Sequence, residues 1–471
     1  MSAYSTSDLP VIVIGAGPVG LAAAAHLLEQ GLEPLVLEAG EDVAAAVRSW
    51  AHVRLFSPWE YDVDAAAARL LEPTGWQHPD LTQLPTGAEL VDRYLAPLAA
   101  TEQLASRIRT GTRVVAVSRA GVDKTRTVGR DGRAYVVRTV AGGQVADLTA
   151  RAVIDASGTF GQRNPLGAAG LPAIGEEDAQ PWLVGPLPDV TGADRARFAG
   201  RHTLVVGMGH SAANTLLALV ELQRTEPDTR ISWAIRGRSP ARLYGGGDSD
   251  GLPARGLLGS TLKAAVQAGH VELHREVTIT DLTPTGDGKL QVTGTGRDGA
   301  LALTVDAVAA ATGFRPDLDM LREVRLSLDP GVEAPARLAP LIDPNFHSCG
   351  TVPPHGHRDL THPDEGFFLA GMKSYGRAPT FLLATGYEQV RSIAAALAGD
   401  LAAADSVQLN LPSTGVCSTD LGDREAAEVT TAASVGFGTG SEHGYSAEEP
   451  AASCCSSTPQ PVTIGASSSS C

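Results

Sequence analysis

Gly15, Gly17 and Gly20 stand as G-x-G-x-x-G in the stretch VIVIGAGPVGLAAAAHLLEQG. Each glycine has its own use at that spacing. The first permits a tight turn, the second lets a pyrophosphate approach the backbone, and the third lets a helix pack close on a strand. The helix N-terminus then points at the phosphates. The apolar run LVLEAG follows and ends in Glu38, 18 residues beyond Gly20, where a carboxylate suits the hydroxyl pair of a ribose. The pattern returns 192 residues later in TLVVGMGHSAANTLLALVELQ, with Gly207, Gly209 and Ala212 in the three small-residue places. The next apolar run, ISWAIRGRS, carries no acid and offers Arg236 and Arg238 instead. They either grip a 2′-phosphate, favouring NADPH over NADH, or stand as solvated surface charges. Two such sites in one chain imply a resident redox cofactor and an exchanging nicotinamide, with hydride passing between them.

Those turns need strands and helices to hold them. Short Val/Ile/Leu runs alternate with Ala/Leu-rich helical stretches from about residue 9 to 400, the mark of α/β architecture with parallel strands. The strand candidates are VIVI from Val11, LVLE from Leu35, RVVAVS from Arg113, AVIDA from Ala152, TLVVG from Thr203, ISWAI from Ile231 and VDAVAAA from Val305. Beyond about residue 402 the periodicity dissolves into Ser, Thr, Gly and Ala, which reads as a flexible tail. A chain of 471 residues leaves room for about three units. The formal net charge of −16 argues against a nucleic-acid surface. No apolar run approaches the roughly 18 residues that span a bilayer. The opening MSAYSTSDLP lacks the features of a signal peptide, so a cytoplasmic location is expected.

The layout resembles the two-dinucleotide-binding flavoproteins, and within them the flavin-containing monooxygenase-like group. Four segments carry the resemblance: VIVIGAGPVG, AVIDASGTFGQRNP, FAGRHTLVVGMGHSA and AATGFRPD. It implies two Rossmann-like domains, with FAD on the first glycine turn and NADPH on the second. The FAD domain is then split into residues 8–165 and 300–400, the NADPH domain occupies 166–299, and the tail is 401–471. The resemblance extends the cofactor contacts to Pro18, Ala39, Val115, Ser157, Gly158, Thr312, Gly313 and Gly371. His210 and Ser211 join the second turn; His210 either positions the nicotinamide or fills surface. The segment PTFLLATGYEQV should open a helix whose N-terminus faces the flavin ring, with Thr380 and Phe381 as ring contacts. FHSCGTVPPHG and GMKSYGRAPTFLLATGYEQVRS are similar, more narrowly, to flavoprotein monooxygenases of arsenic-resistance gene clusters. The chain departs from the broader group in lacking its full F-x-G-x-x-x-H-x-x-x-W/F signature. Met372 also stands where many relatives carry an acid after the glycine.

Cysteine is rationed. Cys349 is the single one before Cys417, and Cys454, Cys455 and Cys471 follow near the end. No C-x-x-C or C-x-x-x-x-C occurs, so the flavin-adjacent dithiol of a disulfide reductase is not expected. Cys349 lies among His347, His355, His357 and His362 and reads as a thiol lining the substrate pocket or, less well, as part of a metal site. Cys454 and Cys455 are adjacent, with Cα atoms about 3.8 Å apart, shorter than a relaxed disulfide prefers. They and Cys471 could converge on a thiophilic metalloid such as trivalent arsenic, or be incidental. Three functions stay open: a monooxygenase using dioxygen on a soft nucleophilic small molecule, a reductase serving another acceptor, and a metalloid-binding flavoprotein. A homodimer is compatible with each.

Overall fold

Val11–Ile14 is a run of four apolar residues, all buried. A strand with no polar alternation belongs at the centre of a parallel sheet covered on both faces. The computed structural model places it there and describes residues 8–245, 252–344, 352–379 and 381–409. These all fall in one compact unit, Met1–Ala426. The first sheet runs Phe367–Leu369, Ala152–Asp155, Val11–Ile14, Pro34–Leu37, Ile108–Arg109 from edge to edge. All its pairings are parallel. The second sheet runs Glu272–His274, Arg230–Ala234, His202–Val206, Ala307–Ala310, Leu183–Val184 and is parallel throughout as well. In both sheets the strand preceding a glycine turn lies third, covered by neighbours on either side.

Each sheet is the middle layer of three. On one face of the first pack the helices Pro18–Glu29 and Leu383–Ala398. Ala22, Ala23, Ala24 and Ala25 are fully buried in that layer, their small side chains letting helix and sheet come close. The other face is covered by an antiparallel meander of Thr112–Arg119, Tyr135–Ala141 and Gln144–Ala150, which contributes Val114, Val117, Tyr135 and Val137 to the core. The second sheet repeats the plan. Its helices are His210–Thr225 and Pro253–Gln267, and its meander is Thr278–Pro284, Leu290–Gly296 and Gly299–Val305.

Two expectations change. The run RVVAVS is not a strand of the parallel sheet but the first strand of a meander, where buried and exposed positions alternate because one face meets solvent. The inserted unit also extends past residue 299. Ala307–Ala310 pairs with His202–Val206, so the chain leaves the second sheet only after Ala310. The fully apolar AVAA needs a covered central position, and the second sheet supplies it.

Candidate functional site

The first glycine turn is built as its spacing demands. Gly15 has φ +98°, and a Cβ there would lie 2.9 Å from the carbonyl oxygen of Ala156. A Cβ on Gly20 would lie 1.9 Å from the Gly15 carbonyl oxygen, so only glycine lets this helix sit so close to its strand. Gly17 differs: a Cβ there meets no protein atom within 4 Å, leaving open space above the turn. Pro18 occupies the first helical turn, where its missing N–H costs nothing. The helix has no side-chain cap and no acid in its first turn, so its leading N–H groups are left without an internal partner. Glu38 stands beside them, accepting hydrogen bonds from Ala16 N at 2.7 Å and Gly40 N at 2.8 Å. Its carboxylate is thereby fixed at the strand end with lone pairs left for ribose hydroxyls. Ala39 is exposed next to it, and Val115 lies at a bulge in the meander, 40% exposed.

The second turn reproduces this geometry. Gly207 has φ +132°, and a Cβ would come within 2.0 Å of the Ala311 carbonyl oxygen, whereas Gly209 opens onto empty space. The helix from His210 has neither side-chain cap nor acid in its first turn. Ser211 lies in that first turn, and Ala212 is buried in the third small-residue place. The His210 ring packs on Phe56 of the first unit, centroids 5.0 Å apart. Arg236 and Arg238 are exposed beyond the adjacent strand. Arg238 pairs with Glu276 at 3.1 Å, an acid brought in from another part of the chain that the local sequence does not reveal.

The chain crosses between the units beside both turns. Ala156 N donates to the Ile14 carbonyl at 3.0 Å, and Ala311 N donates to Val206 at 2.9 Å. The crossings are bonded to each other. Asn164 N donates to Gly313 O at 2.9 Å, Thr312 Oγ1 donates to Asn164 O at 2.5 Å, and Phe160 packs on Phe314. Gly158 and Gly313 take positive φ there, +70° and +85°.

Beneath the first turn lies a network that sequence reasoning missed. Lys373 Nζ pairs with Asp155 Oδ2 at 2.6 Å, both side chains being buried, and contacts Ser157 Oγ at 3.1 Å. Gly371, with φ +67°, donates its N–H to Gln389 Oε1 at 2.8 Å. Gln389 Nε2 reaches both Ser374 Oγ and His355 Nε2. His355 contacts the Pro353 carbonyl through Nδ1 at 3.0 Å. The tautomer that satisfies all of these carries its proton on Nδ1. Burial holds this imidazole below its ordinary pKa, which keeps it neutral. The histidines therefore part company. His357 bonds to Ser392, and His362 accepts from Ser327 N. Among the described residues no group of His, Cys, Asp and Glu is placed to hold a metal ion. His347, Cys349, Thr380, Cys454, Cys455 and Cys471 lie outside the described residues, as does every cysteine of the chain. Phe381 stands just before the helix Leu383–Ala398, edge-on to Tyr375 at 5.2 Å. That helix too is uncapped at its N-terminus.

Asp62 was also missed. It sits in an arm of residues 56–62 that begins with Phe56 and ends in the short helix Trp59–Asp62, and it lines a cavity of about 10 Å³ with Ser57, Tyr61, Leu252, Leu382, Leu383 and Ala384. Burial pushes its carboxyl up to about 8, against the opposing effect of the Ser57 hydroxyl bonded to Oδ1 at 2.7 Å. No local pattern marks this acid as buried. Its surroundings come from helix 383–398 and from the inserted unit.

Two open helix N-termini beside glycine turns, the first flanked by a fixed carboxylate, define a two-dinucleotide flavoprotein oxidoreductase. The comparisons agree. Residues 12–337 match the family model of pyridine nucleotide-disulphide oxidoreductases, and the chain belongs to that family. The bacillithiol disulfide reductase of Bacillus cereus aligns at 21% identity with a TM-score of 0.60, covering 83% of this chain and 99% of its own. The ornithine N-hydroxylase of Kutzneria sp. 744 aligns at 16% identity and 0.56, over 83% and 99%. Thioredoxin reductase of T. acidophilum aligns at 14% and 0.52, over 84% and 99%. At these identities they share the fold. The protein is an enzyme, an oxidoreductase that uses FAD and NADPH. Among the described residues no helix is long and apolar enough to cross a membrane.

Proposed function

We propose that the protein is an NADPH-dependent flavin monooxygenase acting on a soft nucleophilic centre of a small molecule, an organic sulfur or nitrogen atom or a trivalent arsenical. The observation that carries this reading is the cysteine inventory. A disulfide reductase of this fold needs a thiol relay at the flavin, yet the chain has no closely spaced cysteine pair outside its last residues and none among the described residues. Bound FAD would take hydride from NADPH and pass the electrons to dioxygen, one oxygen atom entering the substrate and the other leaving as water.

The chain's own groups prepare that reaction. Gly15, Gly17, Pro18, Gly20 and Glu38 would hold the FAD pyrophosphate and ribose. Ala39 and Val115 would border the adenosine end, and Ser157, Gly158 and Gly371 the approach to the ring. Gly207, Gly209, His210, Ser211, Ala212, Thr312 and Gly313 would hold NADPH, with Arg236 as the freer of the two arginines for the 2′-phosphate. The uncapped N-terminus of helix 383–398 favours negative charge in front of it. Phe381, Leu382 and Leu383 would keep water from that point, and Thr380, which lies outside the described residues, would join Phe381 at the ring. The resemblance to arsenic-resistance flavoproteins makes arsenite a substrate to try first. Cys349 would line the pocket, and Cys454, Cys455 and Cys471 would capture the metalloid.

The test measures oxygen uptake and product together. One oxygen consumed per substrate oxygenated, with arsenite or dimethyl sulfide as probe, supports the reading. Equal turnover without oxygen on a disulfide acceptor overturns it in favour of a reductase. Failure of NADPH to bleach the flavin favours a metalloid binder. Replacing Cys454, Cys455 and Cys471 by Ser should raise the KM for arsenite several-fold; an unchanged KM removes the tail from the account.

A further inference from the structure

Asp62 is placed as few carboxyls are. Its side chain is fully buried, Oδ1 accepts the Ser57 hydroxyl at 2.7 Å, and Oδ2 has no hydrogen-bond partner among the described residues. A buried carboxylate with an empty oxygen would be costly, and an un-ionised acid there is a donor in search of an acceptor. The cavity it lines joins three parts of the molecule. Ser57, Tyr61 and Asp62 come from the arm that also packs Phe56 on His210; Leu382–Ala384 open the helix 383–398; and Leu252 belongs to the inserted unit. At about 10 Å³ the cavity has room for one water and not for a substrate.

The groups facing Asp62 leave it uncompensated. Tyr387, from helix 383–398, donates its hydroxyl to the Asp62 backbone carbonyl at 2.8 Å, not to the carboxyl. Tyr94 bonds to Asp64 N, and the Asp64 carboxylate is engaged by His26 at 2.9 Å. Burial raises both tyrosines well above their ordinary range, so neither supplies a charge. Glu60 and Tyr61 flank it on its own element, and no Lys or Arg among the described residues pairs with it.

We propose that Asp62 is the proton donor of the oxidative half of the cycle, passing its carboxyl proton by way of this cavity to the oxygen atom that leaves as water. The proposal rests on the monooxygenase reading and completes its balance. NADPH gives two electrons and the substrate two, and dioxygen takes all four. One oxygen atom bonds to the substrate. The other departs as water, for which Asp62 supplies one of the two protons, and the carboxylate left behind is reprotonated from solvent. The acid is in its donating form below a pH of about 8 and loses it above.

The test uses the FAD-loaded enzyme with arsenite or dimethyl sulfide. Wild-type product formation should fall as pH rises through about 8. Asp62→Asn keeps volume but cannot give up a proton; it should lose about a hundredfold in the rate of coupled oxygenation and lose that alkaline limb. Asp62→Glu should restore a limb. Isotope-edited infrared spectra of the wild type at pH 7 should carry the carbonyl band of an un-ionised carboxylic acid that titrates over the same range. That measurement needs no variant to fold. A wild type that couples oxygen to product while showing no such band, or an Asp62→Asn enzyme with an unaltered pH profile, overturns the proposal alone. Oxygen uptake with no product from either probe overturns the monooxygenase reading and this proposal with it.

Discussion

Gly17 and Gly20 sit three residues apart and are glycine for opposite reasons. A methyl on Gly20 would strike the Gly15 carbonyl oxygen at 1.9 Å, whereas one on Gly17 would enter space that no protein atom fills. Gly20→Ala should therefore cost stability, lowering the melting temperature of the apoprotein. Gly17→Val should leave that temperature nearly unchanged while weakening FAD affinity about tenfold or more, or roughly 1.4 kcal/mol. Flavin titration beside thermal unfolding separates the two. Their roles were legible because turn chemistry is local: spacing alone states which position must be small. Lys373 shows the opposite case. Its partner Asp155 lies 218 residues away in sequence, and nothing in GMKSYG marks its lysine as buried. Lys373→Met should destabilise the fold by about 3–5 kcal/mol, read from denaturant midpoints, because it strands a buried carboxylate.

At the level of elements, two parallel sheets could be anticipated from fully apolar runs such as VIVI and AVAA. The two meanders could not be separated from them, since RVVAVS is apolar enough for either setting. What decides is the partner strand, Tyr135–Ala141, and pairing partners are not written in a single run. The histidine-rich segment is instructive in the same way. Composition suggests ligands, but packing sends His355, His357 and His362 to separate neighbours. Burial lowers the His362 imidazole to about 4. An imidazole depressed in the fold is neutral there while the unfolded chain binds a proton. Stability is thus full above about pH 6.5 and lost as pH falls toward 4, by up to about 3 kcal/mol. Melting temperatures across that window should decline in the wild type. They should decline less in His362→Asn, whose side-chain carbonyl can still accept the Ser327 N–H.

Over the whole molecule, one plan is used twice, helices over a parallel sheet over a meander, and the crossings through Ala156–Asn164 and Ala311–Arg315 bind the copies together. The duplication was legible from two glycine patterns 192 residues apart, while the cavity at Asp62 was not, because Asp62, Leu252 and Leu382 come from distant stretches. On the proposed reading, the asymmetry between the copies would set the cofactors apart. Glu38 serves the first turn; Arg236 and the Glu276-bound Arg238 stand by the second. Arg236→Ala should raise the KM for NADPH about tenfold and leave that for NADH nearly unchanged, as loss of one charge-assisted phosphate contact predicts. The central claim is that one polypeptide holds an electron store and its supplier together. Anaerobic stopped-flow mixing of the purified protein with NADPH tests it directly. The account predicts a yellow protein with one FAD per chain whose absorbance bleaches within a single turnover of NADPH. A protein that takes up no FAD, or a bound flavin that NADPH leaves oxidised, would contradict it.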